Sequence, residues 1–435
     1  MNIDVRFNKV FTVLVTILLL AVAQATGQKR DSLIVSLVTA APGNEVYELC
    51  GHSALRIHSA EMDSVWNYGV FDFNKPNFVY RFVKGETDYM LAGYPFAWFM
   101  QEYAQAGREV REQELNLTQE ESRRLLEMLR RESMPDRCTY RYNYVKDNCA
   151  TRITARVSEA TGQKILFPDS LGYGTFRREM RAFHRNYPWY QFGIDLALGT
   201  GIDYRLRADE EMFVPVVMSE RYDGAEFADG RKLVRHSAVL LPDSGHASLP
   251  PTPWYLSPMT VAVALFLIMC AVAVWMARKK RCFRWAYSLW FGITGLAGCL
   301  ITFLVFVSEH EATNPNMLVL WLNPLQLLLA VCVWTRILRP VANLMAWYNI
   351  IILGILLIVW PFQAQSANPA VFPLMGASLA LAVVYAILHT GNSYNKKKEK
   401  HAKDSSVGGR GPRRPGVGSR PARRSKAPSG GRNRR

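Results

Sequence analysis

The chain contains no Cys-x-x-Cys pair and no histidine cluster at metal-ligand spacing, although it has seven cysteines and eight histidines in 435 residues. A zinc site is therefore not expected, and no cofactor is called for. Net charge is scarce outside one segment. The formal charge is +16, but residues 391–435 hold 15 Lys/Arg against 2 Asp/Glu, so the remaining 390 residues are nearly neutral. A fold without a basic face of its own is a poor nucleic-acid binder, and no nucleic-acid partner is expected. No cysteine closely follows the N-terminal apolar run, which argues against the chain being lipidated as a lipoprotein itself. The N-terminal half shows no internal repeat.

What the chain does have is export and membrane signals. Arg6 and Lys9 precede the apolar run 10–23, and Ala21-Val22-Ala23 or Ala23-Gln24-Ala25 offers a small-residue cleavage site. Residues 1–25 read as a secretory signal peptide; an uncleaved anchor is the alternative. Apolar blocks at 259–277, 287–307, 317–334, 345–362 and 371–389 are each about long enough to cross ~30 Å of hydrocarbon as a helix. Arg278-Lys279-Lys280-Arg281, then Arg336 and Arg339, then Lys396-Lys397-Lys398 follow the first, third and fifth blocks. The connections 308–316 and 363–369 carry no Lys or Arg. The positive-inside rule then gives five spans, an external N-terminal domain and a cytoplasmic tail. The expected order is a signal peptide at 1–25, a periplasmic domain at 26–252, a transmembrane domain at 253–390, and a disordered basic tail at 391–435. This is an inner-membrane multi-pass layout, with the bilayer itself as a partner.

The exported domain reads as α+β. Residues 32–39 and 52–58 alternate as strands, with 65–71 as hairpin partner to the second. Thr118-Gln119-Glu120-Glu121 is a capping box opening a helix to about Arg131. Tyr140, Tyr142 and Tyr144 alternate in a strand leading to Asp147-Asn148-Cys149. The helix 150–161 follows and stops at Gly162. An oxidising compartment permits a Cys50–Cys138 disulfide that leaves Cys149 free.

Two stretches carry chemistry, Gly51-His52-Ser53-Ala54-Leu55-Arg56 and Asp147-Asn148-Cys149-Ala150-Thr151. A thiol in the first turn of a helix lies at the positive end of the helix dipole, which favours thiolate. A histidine on a nearby strand completes an activated nucleophile. Either residue alone is more often structural, a packed cysteine or a satisfied strand histidine. Together, Cys149 as nucleophile and His52 as base specify a thiol enzyme. The backbone at Cys149 and its neighbour Asn148 are candidates for holding the reacting oxyanion. Glu309-His310-Glu311 fills the first external connection between spans. As a solvated loop it has no role; facing the site, Glu309 and His310 bind substrate. Phe73, Phe78, Tyr80 and Phe82, with the stretch 89–99, are core or an acyl groove. Residues 188–198 are core or a lipid-contacting segment.

These boxes resemble the permuted papain-like thiol enzymes, the NlpC/P60-related group that includes lecithin:retinol acyltransferase. There an early histidine strand precedes an Asn-Cys that opens a helix, as Asn148-Cys149 does. The resemblance implies a third, orienting residue on the paired strand, at Asn67 or Tyr68, with His58 as runner-up. Over nearly the whole chain, Gly51–Arg56, Asn67-Tyr68-Gly69-Val70-Phe71-Asp72-Phe73, Asp147–Arg152 and Trp321-Leu322-Asn323-Pro324 are similar to the Lnb family. That resemblance implies a lipoprotein N-acyltransferase with a permuted papain-like periplasmic domain and a multi-span membrane domain. Its implied partners are a membrane phospholipid as acyl donor and a diacylated lipoprotein as acceptor. The rival readings are a cell-wall cysteine amidase or endopeptidase, which leaves the membrane spans unexplained, and a non-enzymatic envelope scaffold.

Overall fold

The computed structural model describes residues 32–72, 74–168, 174–245 and 250–407, with side chains to 389, apart from the single residue Thr16 further upstream. The expected signal peptide, Phe73 and the tail beyond 407 lie outside the described residues.

The N-terminal domain is built on one seven-stranded antiparallel sheet. Its strands are β1 (Ile34–Ala40), β2 (His52–His58), β3 (Asp63–Val70), β4 (Asp88–Pro95), β5 (Val110–Leu115), β6 (Thr139–Arg141) and, after the short ribbon of β7 (Ile165–Leu166) and β8 (Glu226–Phe227), β9 (Val234–Leu241). Their spatial order is β6-β4-β3-β2-β1-β5-β9. The helices are α1 (Phe78–Lys84), α2 (Phe96–Gln105), α3 (Gln119–Glu132), α4 (Cys149–Thr161), α5 (Phe176–Phe183), α6 (Pro188–Ala197) and α7 (Pro215–Tyr222).

The period-2 alternation of the strands sorts two cores onto the two faces. Leu37, Leu55, Ile57, Trp66 and Tyr68 pack against Leu125 and Leu129 of α3 and Ile153 and Val157 of α4. Val38, Ala54 and Val65 pack on the other face against Phe96, Phe99 and Tyr103 of α2. A fully buried Leu or Ile contributes about 1.5–3 kcal/mol relative to leaving it exposed. Helix α3 starts where its capping box predicts, with Glu121 N–H donating to Thr118 Oγ1 and Thr118 N–H to Glu121 Oε2.

The strand expected through Tyr144 is shorter. Pairing ends at Arg141, and a tight loop closed by Asn143 and Asp147 backbone bonds precedes α4. Cys50 and Cys138 are both free thiols. Cys50 lies 3.5 Å from Tyr144 Oη, and Cys138 lies 3.7 Å from the Pro135 carbonyl, so the permitted disulfide is not formed.

The membrane domain contains α8 (Pro258–Lys279), α9 (Arg284–Phe306), α10 (Gln326–Cys332), α11 (Arg339–Val359) and α12 (Val371–Val407). Among the described residues four helices are long and apolar enough to cross a membrane, Pro258–Lys279, Arg284–Phe306, Arg339–Phe362 and Val371–His389. The third apolar block, expected as a helix over 317–334, is broken instead. A 3-10 turn at Met317–Leu320 leads to Asn323-Pro324 and then to the seven-residue α10. Pro324 lacks an N–H and pushes Asn323 out of helical geometry. The Asn323 side chain compensates, donating to the Val319 and Leu320 carbonyls and accepting from Leu325 N–H. Helix α12 continues past the apolar block to Val407. A helix already nucleated within a span propagates at little cost.

The domain sits on both connections that lack Lys and Arg. Glu309 N–H donates to the Lys84 carbonyl, Ser308 Oγ to the Val83 carbonyl, and Thr200 N–H to the Pro315 carbonyl. Arg181 donates to Ser366 and binds the fully buried Asp195, which Asn368 also reaches.

Candidate functional site

Helix α4 presents its first residue, Cys149, because the motif around it braces the helix start twice. Asn148 is the N-cap. Its Oδ1 accepts from Ala150 and Thr151 N–H at 3.0 Å, and its own N–H donates to Thr151 Oγ1 at 2.8 Å. Outside that box, Asp147 grips Arg152 with two bonds of 2.6 and 2.7 Å, and the Arg152 guanidinium lies 3.6 Å from the Tyr140 ring centroid. Asp147, Asn148, Thr151 and Arg152 therefore all hold the backbone that carries the thiol. The Asn148 amide nitrogen is also engaged, donating to the Tyr144 and Phe213 carbonyls. Its side chain is a structural cap with no group left for substrate.

His52 opens β2 after Gly51, whose φ of +76° suits glycine. Leu55 pairs with Trp66, so the same register continued puts His52 opposite Gly69 and diagonal to Asn67. The His52 Nε2 to Asn67 Oδ1 distance is 2.6 Å, and Asn67 Nδ2 donates to Tyr94 Oη at 3.0 Å. With the amide nitrogen engaged by Tyr94, Oδ1 faces the ring and accepts, so Nε2 carries the proton and Nδ1 keeps its lone pair as the basic nitrogen.

The two boxes meet at Ser53 and Gly69. The backbone groups of Ser53, next to His52, and of Ala150 and Cys149 itself favour the Cys149 thiolate. Gly69, with φ of +91°, lies beside the thiol; a Cβ there would be 3.8 Å from Cys149 Cβ and 3.7 Å from the Tyr142 ring. Among the described residues no hydrogen bond joins the His52 ring to the thiol.

Both groups are neutral at rest. Burial pushes the Cys149 thiol up to about 11, against the pull of those three backbone groups. The helix-start N–H groups of Cys149 and Ala150 favour the thiolate as expected, but desolvation exceeds them. Burial lowers His52 to about 4, opposed by the Asn67 bond and assisted by the charge of Arg108. A neutral imidazole with a free lone pair has the protonation state a general base needs.

The remaining candidates are elsewhere. Tyr68 is fully buried on the α3/α4 face, donating to Glu132 at 2.7 Å. His58 ends β2, six residues or about 20 Å from His52. Glu309 accepts from Arg141 at 2.8 Å, and His310 Nε2 lies 2.8 Å from the Phe82 carbonyl, so both dock the membrane domain onto α1 and β6. Sequence pattern alone does not single out Tyr94, Gly69 or the Ser53 N–H. Their roles depend on strand register, and Tyr94 lies in a stretch whose mixed small and aromatic residues give no clean strand pattern.

Family comparison agrees with the two-part layout. The model of the Lnb N-terminal periplasmic domain matches residues 25–178, and the model of the Lnb transmembrane domain matches residues 251–393, together about two thirds of the chain. No curated protein and no solved structure matches it.

Proposed function

The chain belongs to the Lnb family, and on that premise we propose that it is a lipoprotein N-acyltransferase working through a thioester on Cys149. The observation that carries the reading is Gly69, which lies beside the buried thiol at the braced helix start and falls opposite His52 in the strand register, with Asn67 2.6 Å from the His52 ring. In the first half-reaction the Cys149 sulfur attacks an ester carbonyl of a membrane phospholipid. The thiol proton passes to His52 Nδ1, the sulfur–carbon bond forms, and the ester carbon–oxygen bond breaks. His52 returns the proton to the departing alkoxide, releasing a lysophospholipid. The N–H groups of Ser53 and Cys149 are the natural donors to the oxyanion. In the second half-reaction the free α-amine of a diacylated lipoprotein's N-terminal cysteine attacks the thioester. The amide forms, the thiolate leaves, and the amine proton reaches it through His52.

The permuted papain-like assignment of the domain is supported by the order histidine strand, polar partner strand, cysteine helix. The domain limits 26–252 and 253–390 follow the change from sheet to long apolar helices. A fifth crossing by the broken segment is supported by its course along α9. Gly298 lies against Asn323 and Gly295 against Leu327, while Ser288 Oγ donates to the Ala330 carbonyl and accepts from Trp334 Nε1. Leu318 packs in the same cluster as Leu304. The segment thus runs antiparallel beside α9 for about 24 Å, from residue 304 to 288 at 1.5 Å per residue. An odd number of crossings puts the C-terminal tail in the cytoplasm, opposite the periplasmic domain.

The test offers purified full-length protein two substrates, phospholipid vesicles with a diacylated lipopeptide bearing a free amine, and muropeptides. The proposal predicts one added acyl chain on the lipopeptide, stoichiometric lysophospholipid, and intact muropeptides. Muropeptide cleavage without lipopeptide acylation would replace it with a wall-hydrolase function.

A further inference from the structure

The short helix α1 has no buried residue, and it exposes Val79 by 73 % and Tyr80 by 55 %. A seven-residue helix with bare apolar side chains is unstable in water, so something covers it. Its position says what. Its C-terminal end is bonded to the connection that follows α9, through Ser308 to the Val83 carbonyl and Glu309 to the Lys84 carbonyl. The Tyr80 ring lies 6.1 Å from the ring of Phe303, three residues inside the end of α9 at Phe306. Three residues of helix are about 4.5 Å. That sets α1 at the headgroup–acyl boundary, the depth at which short apolar segments lie in a membrane surface.

From α1 a run of aromatic rings leads to the nucleophile. Phe78 stacks on Phe71 at 6.0 Å, Phe71 lies 5.0 Å from Tyr89, and Tyr89 stacks on Tyr142 at 4.1 Å. The Tyr142 ring and Cys149 Cβ flank Gly69, whose missing side chain leaves the gap between them. We infer that α1 is a membrane-seated entry element, and that the Phe78–Phe71–Tyr89–Tyr142 wall guides one acyl chain of a diacyl glycerophospholipid from the outer surface of the bilayer to Cys149. The occupant is a lipid chain rather than a protein because the apolar face of α1 continues onto a membrane-spanning helix. The lining rings offer wide, sequence-tolerant apolar contact suited to a chain of variable length. This inference rests on the acyltransferase reading for its chemistry, but the route itself can be mapped without turnover.

Two measurements test it on the full chain. Cys149→Ser protein in nanodiscs would be irradiated with a phosphatidylcholine bearing a diazirine at mid-chain. Crosslinks on Phe78, Phe71, Tyr89 or Tyr142 are expected. Crosslinks confined to the spans would overturn the route, whether or not the enzyme reading survives. For the wild type and the Val79→Ser/Tyr80→Ser variant, Cys149 acylation would be compared between bilayer vesicles and monomeric dihexanoyl-phosphatidylcholine. The ratio of vesicle to short-chain rate should fall fivefold or more in the variant, because only the bilayer donor needs a seated α1. A smaller fall would overturn the entry role. Wild-type protein inert with both donors would instead remove the acyltransferase reading, and the crosslink map would then decide the route independently of turnover.

Discussion

Replacing Asn67 with alanine removes the 2.6 Å partner of His52 Nε2 and releases Tyr94 from its donor. In the resting enzyme this bond joins two neutral groups and is worth about 1 kcal/mol. When His52 takes the thiol proton the same bond becomes charge-assisted, worth about 1.5–3 kcal/mol, and the freed ring can also adopt the wrong tautomer. The loss falls mainly on the transition state. Only the difference, about 0.5–2 kcal/mol, slows the reaction, so Asn67→Ala should lower the rate of Cys149 acylation about 2- to 30-fold with the half-saturating donor concentration little changed. A sharper test is the pH profile. Burial holds His52 at about 4, so the base is neutral and the wild-type rate should stay flat as pH falls from 8 to about 5. Asn67→Asp places an anion where the amide oxygen was, which favours imidazolium and raises that pKa. Its acid limb must then move upward, with activity lost at pH 5–6 where the wild type retains it. Single-turnover acylation followed by intact-protein mass between pH 4 and 9 reads both effects. An unchanged rate in Asn67→Ala, together with an unmoved acid limb in Asn67→Asp, would refute the assignment of Asn67 as the orienting residue.

Three further outcomes follow from the same geometry. Asn148→Ala removes the cap of α4 and the donor to two carbonyls, so stability should fall by about 2 kcal/mol or more, read as a midpoint lowered by roughly 4–8 °C; an unchanged midpoint would contradict the bracing role. Gly69→Ala forces a side chain onto φ +91°, costing about 1–3 kcal/mol, and should lower both thermal stability and the alkylation rate of Cys149; wild-type values for both would show that the strand end tolerates the strain. Fusions at Asp243 and Lys400 should give active phosphatase only at Asp243 and a fluorescent reporter only at Lys400, and the reverse would break the five-crossing topology.

Much of the site was legible in the chain because it is encoded locally. Asn148-Cys149 was read as opening a helix, and the fold starts α4 there, but Asn148, expected at the oxyanion, serves instead as the N-cap with Thr151 as its reciprocal partner. The period-2 pattern of 52–58 likewise sufficed to place His52 on a strand. The choice between Asn67 and Tyr68 could not be made from sequence, since one position decides which face a side chain takes. Pairing of Leu55 with Trp66 puts Asn67 at the histidine and sends Tyr68 to Glu132. Glu309 and His310 are polar residues at a membrane edge, and only the docked domain reveals that their partners are Arg141 and the α1 backbone. Hydropathy registers the third apolar block, but it is blind to the Asn323-Pro324 break that Gly295 and Gly298 of the neighbouring helix accommodate. The charge state of the thiol also needed three dimensions, because helix position argues for thiolate and burial reverses it.

The most direct measurement of the central claim is the mass of the intact protein after brief exposure to phospholipid vesicles in the absence of an amine acceptor. One added acyl chain is expected, released by neutral hydroxylamine as a thioester should be and mapped to the peptide containing Cys149. Adding a diacylated lipopeptide should then discharge the chain onto the lipopeptide amine. Cys149→Ser protein that accumulates normally in the membrane should show neither event. Lipopeptide acylation by Cys149→Ser at a near-normal rate, or an acyl chain found on another residue, would contradict the central claim.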